Sequence, residues 1–360
     1  MPETKLKQNQ YQSGQALYRP SHEEDLPDLS LLYESFYHRP LAPELWRRLV
    51  IDNPAGSPIS YVAEDKGRII GGLTWIPTRL KVGQHIINIY HGGPIIHPKH
   101  RRRGICSQLS SLCLEDLRKC ESAVYGFATS IMSPFLIKHF HAMDLGKINF
   151  MKKNCSLSYS LKRLFRIRTK YRSKFLIPFE DVSPPKISPP MPFENLEFTR
   201  IHDFDESFDT LWDQIRGHHN VLVIRDRQYL RWRFVNHPEQ PAILFAVNQE
   251  KSLKGYLVLR IRSNPYGQVG VIEDLVVNSQ EWLKPVLRFA ETWLKTAGCD
   301  TIHFYFSGIP AAIPILKQMG FQHRHSSNSL VIKSYHPLFN ENIIPHYESW
   351  YLTTSETYFA

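Results

Sequence analysis

Ile95-Ile96-His97-Pro98-Lys99-His100-Arg101-Arg102-Arg103-Gly104-Ile105-Cys106-Ser107-Gln108-Leu109 is the stretch on which the reading of this chain turns. Its apolar start reads as the end of a strand, its basic middle as a turn, and its last residues as the start of a helix. Leu112, Cys113 and Leu117 continue that helix at helical spacing. A helix that opens after such a turn leaves its first backbone N–H groups without intrahelical partners, and the helix dipole favours an anion there. Gly104 has no Cβ to hold a ligand away from the backbone. Lys99 and the three arginines add charge of the sign that a pyrophosphate needs. Taken alone, the stretch also reads as a solvated basic turn before an ordinary helix.

Composition narrows the setting. The chain has 360 residues, enough for two cores, and its 42% apolar and 12% aromatic content belongs to a globular protein. No apolar run has the length to cross a membrane. Residues 1–16 are polar rather than signal-like and read as a flexible tail, so a cytoplasmic protein is expected. Five scattered cysteines without a Cys-x-x-Cys pair exclude a disulfide scaffold and a zinc pair of that type. Cys106, Cys113 and Cys120 recur every seven residues, as small residues on one helix face do. None of the 17 histidines forms a His-x-x-x-His pair beside a helical glutamate, so no metal is expected. Lys162, Arg163, Arg166, Arg168, Lys170, Arg172 and Lys174 carry seven charges with no acid among them. Without these seven, the formal charge of +10 falls to +3.

The rest of the chain supplies context for the basic turn. A strand over 17–20 leads to a helix reaching residue 37, with Ser21 three residues before Glu24 in capping-box spacing. A second helix covers 44–50 and stops before Asn53-Pro54. Residues 59–64 and 69–77 form a hairpin turned at Asp65-Lys66-Gly67. Strands over 79–82 and 84–96 follow, the second interrupted by Gly92-Gly93-Pro94 as at a bulge. After the helix over 105–119 come a strand over 123–128, a helix over 134–143 and a strand over 147–160. The basic run and the prolines of 178–192 then form an extended connector.

Beyond the connector the plan repeats. Leu45-Trp46-Arg47-Arg48-Leu49-Val50-Ile51-Asp52-Asn53-Pro54 has a counterpart in Leu230-Arg231-Trp232-Arg233-Phe234-Val235-Asn236-His237-Pro238, and Pro54 to Gly71 matches Pro238 to Gly255 in spacing. Strand, helix, strand, helix and strand follow over 271–277, 282–296, 301–306, 311–319 and 329–334. In place of the basic loop this copy has Asn278-Ser279-Gln280-Glu281-Trp282, whose acid opposes a pyrophosphate. The second copy is therefore expected to be a scaffold or substrate wall.

Arg101-x-x-Gly104-x-Cys106, between strand and amphipathic helix, resembles the acyl-CoA pyrophosphate loop of the GNAT N-acetyltransferase superfamily, patterned Gln/Arg-x-x-Gly-x-Gly/Ala. Cys106 stands where Gly or Ala is usual. The element order and the ending Gln318-Met319-Gly320-Phe321 are also similar to that family. The resemblance implies an α/β (α+β) fold of two tandem GNAT-like domains, each a mixed, mostly antiparallel central sheet flanked by helices. The expected boundaries are 17–161 for the acyl-CoA-binding domain, 162–194 for the linker, 195–336 for the degenerate copy and 337–360 for an aromatic tail. The resemblance further implies an acyl-CoA-dependent N-acyltransferase that passes acetyl from acetyl-CoA, by direct attack, to a primary amine of a small molecule, amino sugar or peptide. The residues implied to meet the donor are Ile95, Ile96, His97, Arg101, Arg102, Arg103, Gly104, Ile105, Cys106 and Ser107.

Such transfer needs a group to take the amine proton, donors to the oxyanion and an acid for the leaving thiolate. Where the family places its tyrosine, on the helix before Gly-Phe, the two copies offer Phe140 and Leu316. His91 and Tyr90, on the strand leading to the loop, and Tyr125, on its partner strand, are the remaining catalytic candidates. Histidine titrates near neutral pH, which makes His91 the first choice as base and Tyr125 an acid. Each also reads as a strand residue satisfied by its neighbours. A non-catalytic tandem scaffold, docking anionic surfaces through 162–174, is the competing class. The basic glycine turn, retained in one copy only, favours the enzyme. Acetyl-CoA and an amine acceptor are the expected partners. A membrane surface ranks behind them, and nucleic acid is not expected.

Overall fold

The first sheet grows from a tight hairpin. The chain enters through β1 (Tyr11–Ser13) and β2 (Ala16–Pro20), passes α1 (Leu26–Tyr37) and α2 (Pro43–Val50), and makes the hairpin of β3 (Ile59–Asp65) and β4 (Arg68–Val82). Lys66 and Gly67, at φ 51° and 74°, take up its two-residue turn, whose handedness matches strand twist. Then come β5 (His85–His91), β6 (Pro94–Ile96), α3 (Ile105–Lys119) and β7 (Ala123–Ala128). The ladder β1-β2-β3-β4-β6 is antiparallel throughout, whereas β5 and β7 pair in parallel. α3 buries Leu109, Leu112, Cys113 and Leu117, the stripe read from the sequence, together with Ile105. At roughly 1.5–3 kcal/mol per fully buried aliphatic side chain, this packing, not propensity, holds a helix of that length.

The structure, a computed structural model, describes residues 11–13, 16–38, 41–164, 180–181, 191–193, 195–235, 237–238, 241–264, 266–339 and 347–356. These fall into two compact units. The first comprises the described residues of Met1–Arg79, Ile87–Gly126 and Ile332–Ile343; the second, those of Leu80–Ile86, Phe127–Val331 and Ile344–Ala360. The side chains of the basic run Lys162 to Lys174 lie outside the described residues, as does most of the 162–194 connector.

The second unit contains α4 (Met132–Phe140), β8 (Met143–Asn154), α5 (Leu157–Leu164), β9 (Glu180–Asp181), β10 (Met191–Phe193) and β11 (Leu196–Ile201). It continues with α6 (Ser207–Ile215), β12 (Val221–Val223), α7 (Arg227–Phe234), β13 (Ile243–Gln249), β14 (Ser252–Asn264), β15 (Gly267–Val277) and α8 (Leu283–Thr296). β16 (Thr301–Ser307), α9 (Ala312–Gln318), β17 (Gln322–Ser334), of which the residues up to Val331 belong to this unit, and β18 (Trp350–Thr353) complete the order. An antiparallel ladder β10-β11-β13-β14-β15 leads to a parallel β15–β16 pair, and β8 and β18 run antiparallel to β16. α8 covers this sheet, its Phe289 ring stacked on Phe198 at 3.7 Å and edge-on to Phe245 at 5.1 Å.

The duplication is visible in the strand register. Ala63 pairs with Gly71 and the ladder bulges immediately after Ala63; Val247 pairs with Gly255 and the ladder bulges immediately after Val247. Two hairpins with one irregularity at one place are copies of one unit.

Several local expectations are corrected. α1 is preceded by a single turn, Glu23–Asp25, capped by His22 with Asp25 accepting from the His22 N–H at 2.8 Å. The expected cap, Ser21, instead donates to the Ser60 hydroxyl at 2.7 Å. The strand expected over 147–160 ends at Asn154, because Ser156 accepts from the Tyr159 N–H and opens α5. That strand, β8, read as the last of the first copy, pairs with β16 from Asn149 to Asn154. In the aromatic tail, Trp350–Thr353 forms β18 and is buried.

Candidate active site

The first unit contains a strand fork. The parallel register of β5 and β7 runs Tyr90↔Val124 and His91↔Tyr125; then the chain turns at Gly92-Gly93, and β6 pairs with β4 from Leu73↔Pro94 to Gly71↔Ile96. Glycine is needed at the turn. Gly92 has φ 149°, and an added Cβ would lie 2.2 Å from the Thr74 carbonyl oxygen. β6 then leads into the basic loop.

Pro98–His100 is one turn of 3₁₀ helix, preceded by a bond from the His97 N–H to the Ile70 carbonyl at 2.9 Å. Burial, followed by the charges of His100, Lys99 and Arg101, holds His97 below the usual histidine range. Arg102 takes the left-handed conformation at φ 62°, and Gly104 takes it as N-cap of α3 at φ 78°. No side chain caps α3 and no acid stands in its first turn. Its leading N–H groups, Gly104 to Ser107, therefore have no helical acceptor. An added Cβ on Gly104 meets no atom within 4 Å, so a side chain there has room.

Arg101, Arg102, Arg103, Gly104 and Ser107 are exposed. Arg103 is held against His100 at 2.9 Å, and the Arg101 guanidinium lies over the Phe36 ring at 5.4 Å. This last contact, between residues far apart in sequence, has no sequence signal. Ile95 and Ile96 are half-buried on β6, and Ile105 is buried in the core face of α3. Burial raises the Cys106 thiol above its usual range, which keeps it protonated and poorly nucleophilic.

The three catalytic candidates separate. His91 and Tyr125 are register partners at the base of the fork, both buried, with ring centroids 5.7 Å apart. Tyr90 points to the opposite face, as alternation along a strand requires, and its hydroxyl is hydrogen-bonded with Cys120 at the end of α3. Burial and then that thiol raise the Tyr90 hydroxyl. The structure thus brings His91 and Tyr125 together and places Tyr90 apart from them.

The second unit carries the same fork without the same chemistry. Gly255 pairs with Val277 as Gly71 pairs with Ile96, which aligns Gly92 with Glu273, where the β14–β15 ladder bulges. The parallel register of β15 and β16 ends at Ile272↔Phe304, the counterparts of His91 and Tyr125. Eight residues connect β6 to α3, whereas five connect β15 to α8. β18 pairs with Phe306 and Ser307, and Thr354 Oγ1 donates to the Ile272 carbonyl at 2.9 Å, so the C-terminal segment occupies part of this fork. It is pinned by Arg225, which reaches Asp274 at 3.2 Å and Glu356 at 2.7 Å. The sequence did not single out this buried ion cluster. Its acids and arginine lie far apart in the chain.

The comparisons with known proteins bear on this geometry. Residues 17–135 match the model of the acetyltransferase (GNAT) domain. That segment is similar to GNAT domains. It contains α3, the basic loop and all three catalytic candidates. Among solved structures, the chain is similar to a GCN5-related N-acetyltransferase from Anabaena variabilis (TM-score 0.59, 14% identity, 89% of this chain and 73% of that one). It is also similar to Saccharomyces cerevisiae N-myristoyltransferase with bound myristoyl-CoA (TM-score 0.60, 11% identity, 92% and 86%). A third similar structure is a probable N-acyltransferase from Enterococcus faecalis (TM-score 0.58, 14% identity, 89% and 72%). No curated protein matches the chain in sequence. The fold is accordingly α/β with two tandem GNAT-like units. Among the described residues, no cluster of three or more His, Cys, Asp or Glu could hold a metal, and no helix is long and apolar enough to cross a membrane.

Proposed function

We propose that the chain is an N-acetyltransferase whose acyl-CoA site is the fork and loop of the GNAT domain alone. The observation that carries this reading is the difference between the two forks: uncapped N–H donors and His91–Tyr125 in one, a shorter acidic connection and Ile272–Phe304 in the other. The pyrophosphate sits on the N–H groups of Gly104 to Ser107, with Arg101, Arg102 and Arg103 neutralising its charge. The pantetheine arm runs along β6, past Ile95 and Ile96. The acceptor amine, neutral at the moment of attack, bonds to the thioester carbonyl carbon and the carbon–sulfur bond breaks. His91 takes the amine proton, directly or through a water, and Tyr125 returns a proton to the thiolate. Tyr90 packs against α3 and takes no part. The expected domain limits, 17–161 and 195–336, belong to the same reading.

The test is thiol release from acetyl-CoA in the presence of a panel of primary amines. Release that depends on an amine, with His91→Gln slowing it by roughly a hundredfold or more, is the expected outcome. No release with any amine, from protein that binds acetyl-CoA, would make the chain a non-catalytic tandem scaffold.

A further inference from the structure

The second unit's fork is not filled completely. Beside the C-terminal segment lies a cavity of about 470 Å³, lined by Leu222, Leu275, Leu283, Ile309 and Tyr351 among others, with Asn278 and His219 at its polar side. We propose that this cavity is a binding site for an uncharged small molecule with an apolar body and one hydrogen-bond donor. The proposal stands on this unit alone and does not rest on acetyl transfer.

Size comes first. The volume lies in the lower half of the range that small-molecule sites occupy. It is lined by no Asp, Glu, Lys or Arg side chain. An ion placed there would lose its hydration without gaining a counter-charge, a cost that ordinary affinities do not offset. An acyl-CoA is excluded as well, because the connection from Val277 to Leu283 is short and carries Glu281.

Five polar residues line the cavity: His218, His219, Asn278, Ser279 and Gln280. Asn278 donates from Nδ2 to Gln214 Oε1 at 2.8 Å, while its Oδ1 is buried without a partner among the described residues. A buried acceptor with no donor is an incomplete hydrogen bond, which a ligand N–H or O–H would complete. His219 packs on the Tyr351 ring at 4.4 Å and is uncharged at neutral pH, so it brings no charge to the cavity. The Tyr351 hydroxyl is already committed, donating to the Leu275 carbonyl.

A series built on one body separates the terms: 2-naphthol, 2-methoxynaphthalene, 2-naphthoate and 2-naphthylmethylamine, titrated by calorimetry into the full chain at pH 7. We expect 2-naphthol to bind one per chain and the methoxy analogue, which has no donor, to bind about fivefold to tenfold more weakly. The two ionic analogues should show no binding in the same range. Asn278→Leu should remove the difference between naphthol and its methyl ether, and Ala311→Trp should fill the cavity and abolish both. Should Ala311→Trp fail to fold, the Asn278→Leu comparison decides. Binding of either ion as tightly as the naphthol, an unchanged difference in Asn278→Leu, or no binding of 2-naphthol to the folded chain would each overturn the proposal.

Discussion

Gly104→Glu separates the fold from the function of the basic loop. Gly104 sits at φ 78° and ψ −3°, a conformation that costs a residue with a Cβ roughly 1 kcal/mol. Nothing lies within 4 Å of an added Cβ, so no steric term adds to this, and the protein should unfold only a few degrees lower. Binding should respond far more strongly. The new carboxylate would stand in front of the α3 donors, with no other acid in that first turn. Losing two charge-assisted hydrogen bonds at about 1.5–3 kcal/mol each weakens CoA binding by a hundredfold or more. Gly104→Ala is the control, carrying the same backbone cost with no charge, and should stay within about tenfold of the parent. Calorimetric titration with CoA, alongside circular dichroism and melting curves, reads both quantities. A folded Gly104→Glu protein that binds CoA like the parent would refute the assignment of the loop.

Three further outcomes follow from the packing. Gly92→Ala puts a Cβ 2.2 Å from the Thr74 carbonyl oxygen, so the fork must distort; we expect the unfolding free energy of the first unit, from urea titration, to fall by about 2 kcal/mol or more. Glu356→Ala leaves the buried Arg225 with one carboxylate and frees the C-terminal segment, which should cost the second unit about 3–5 kcal/mol in the same assay. Burial, then Arg225, His218 and Lys81, lower the His219 pKa to about 4. The unfolded chain therefore binds the extra proton at pH 5 and the folded one does not, so stability rises with pH between about 4 and 6.5. Allowing for partial solvent access, the loss on going from pH 8 to pH 5 should be about 1–2 kcal/mol, and His219→Gln should remove it in melts at the two pH values.

Much of this was legible in the sequence where the signal was local. The α3 stripe from Leu109 to Leu117, the Lys66-Gly67 turn and the interruption at Gly92-Gly93 each follow from side-chain period or backbone permissiveness, and each stands where expected. The equal spacing of Pro54–Gly71 and Pro238–Gly255 also marked the duplication, which the paired bulges after Ala63 and Val247 express in register. Features set by distant pairings were not legible. The separation of Tyr90 from His91 and Tyr125 depends on which face of β5 meets α3. The partial filling of the second fork by Trp350 to Glu356 depends on Arg225, 131 residues before Glu356. Nor could spacing show that Ser21 pairs with Ser60 instead of capping a helix.

Acyl-CoA stoichiometry tests the central claim, that one of two homologous forks kept its ligand. Titration of acetyl-CoA into the full chain should give one site per chain, and hydrogen exchange should slow at the amides of 102–107 but not at those of 278–283. Two equivalent sites, or protection confined to 278–283, would contradict the account.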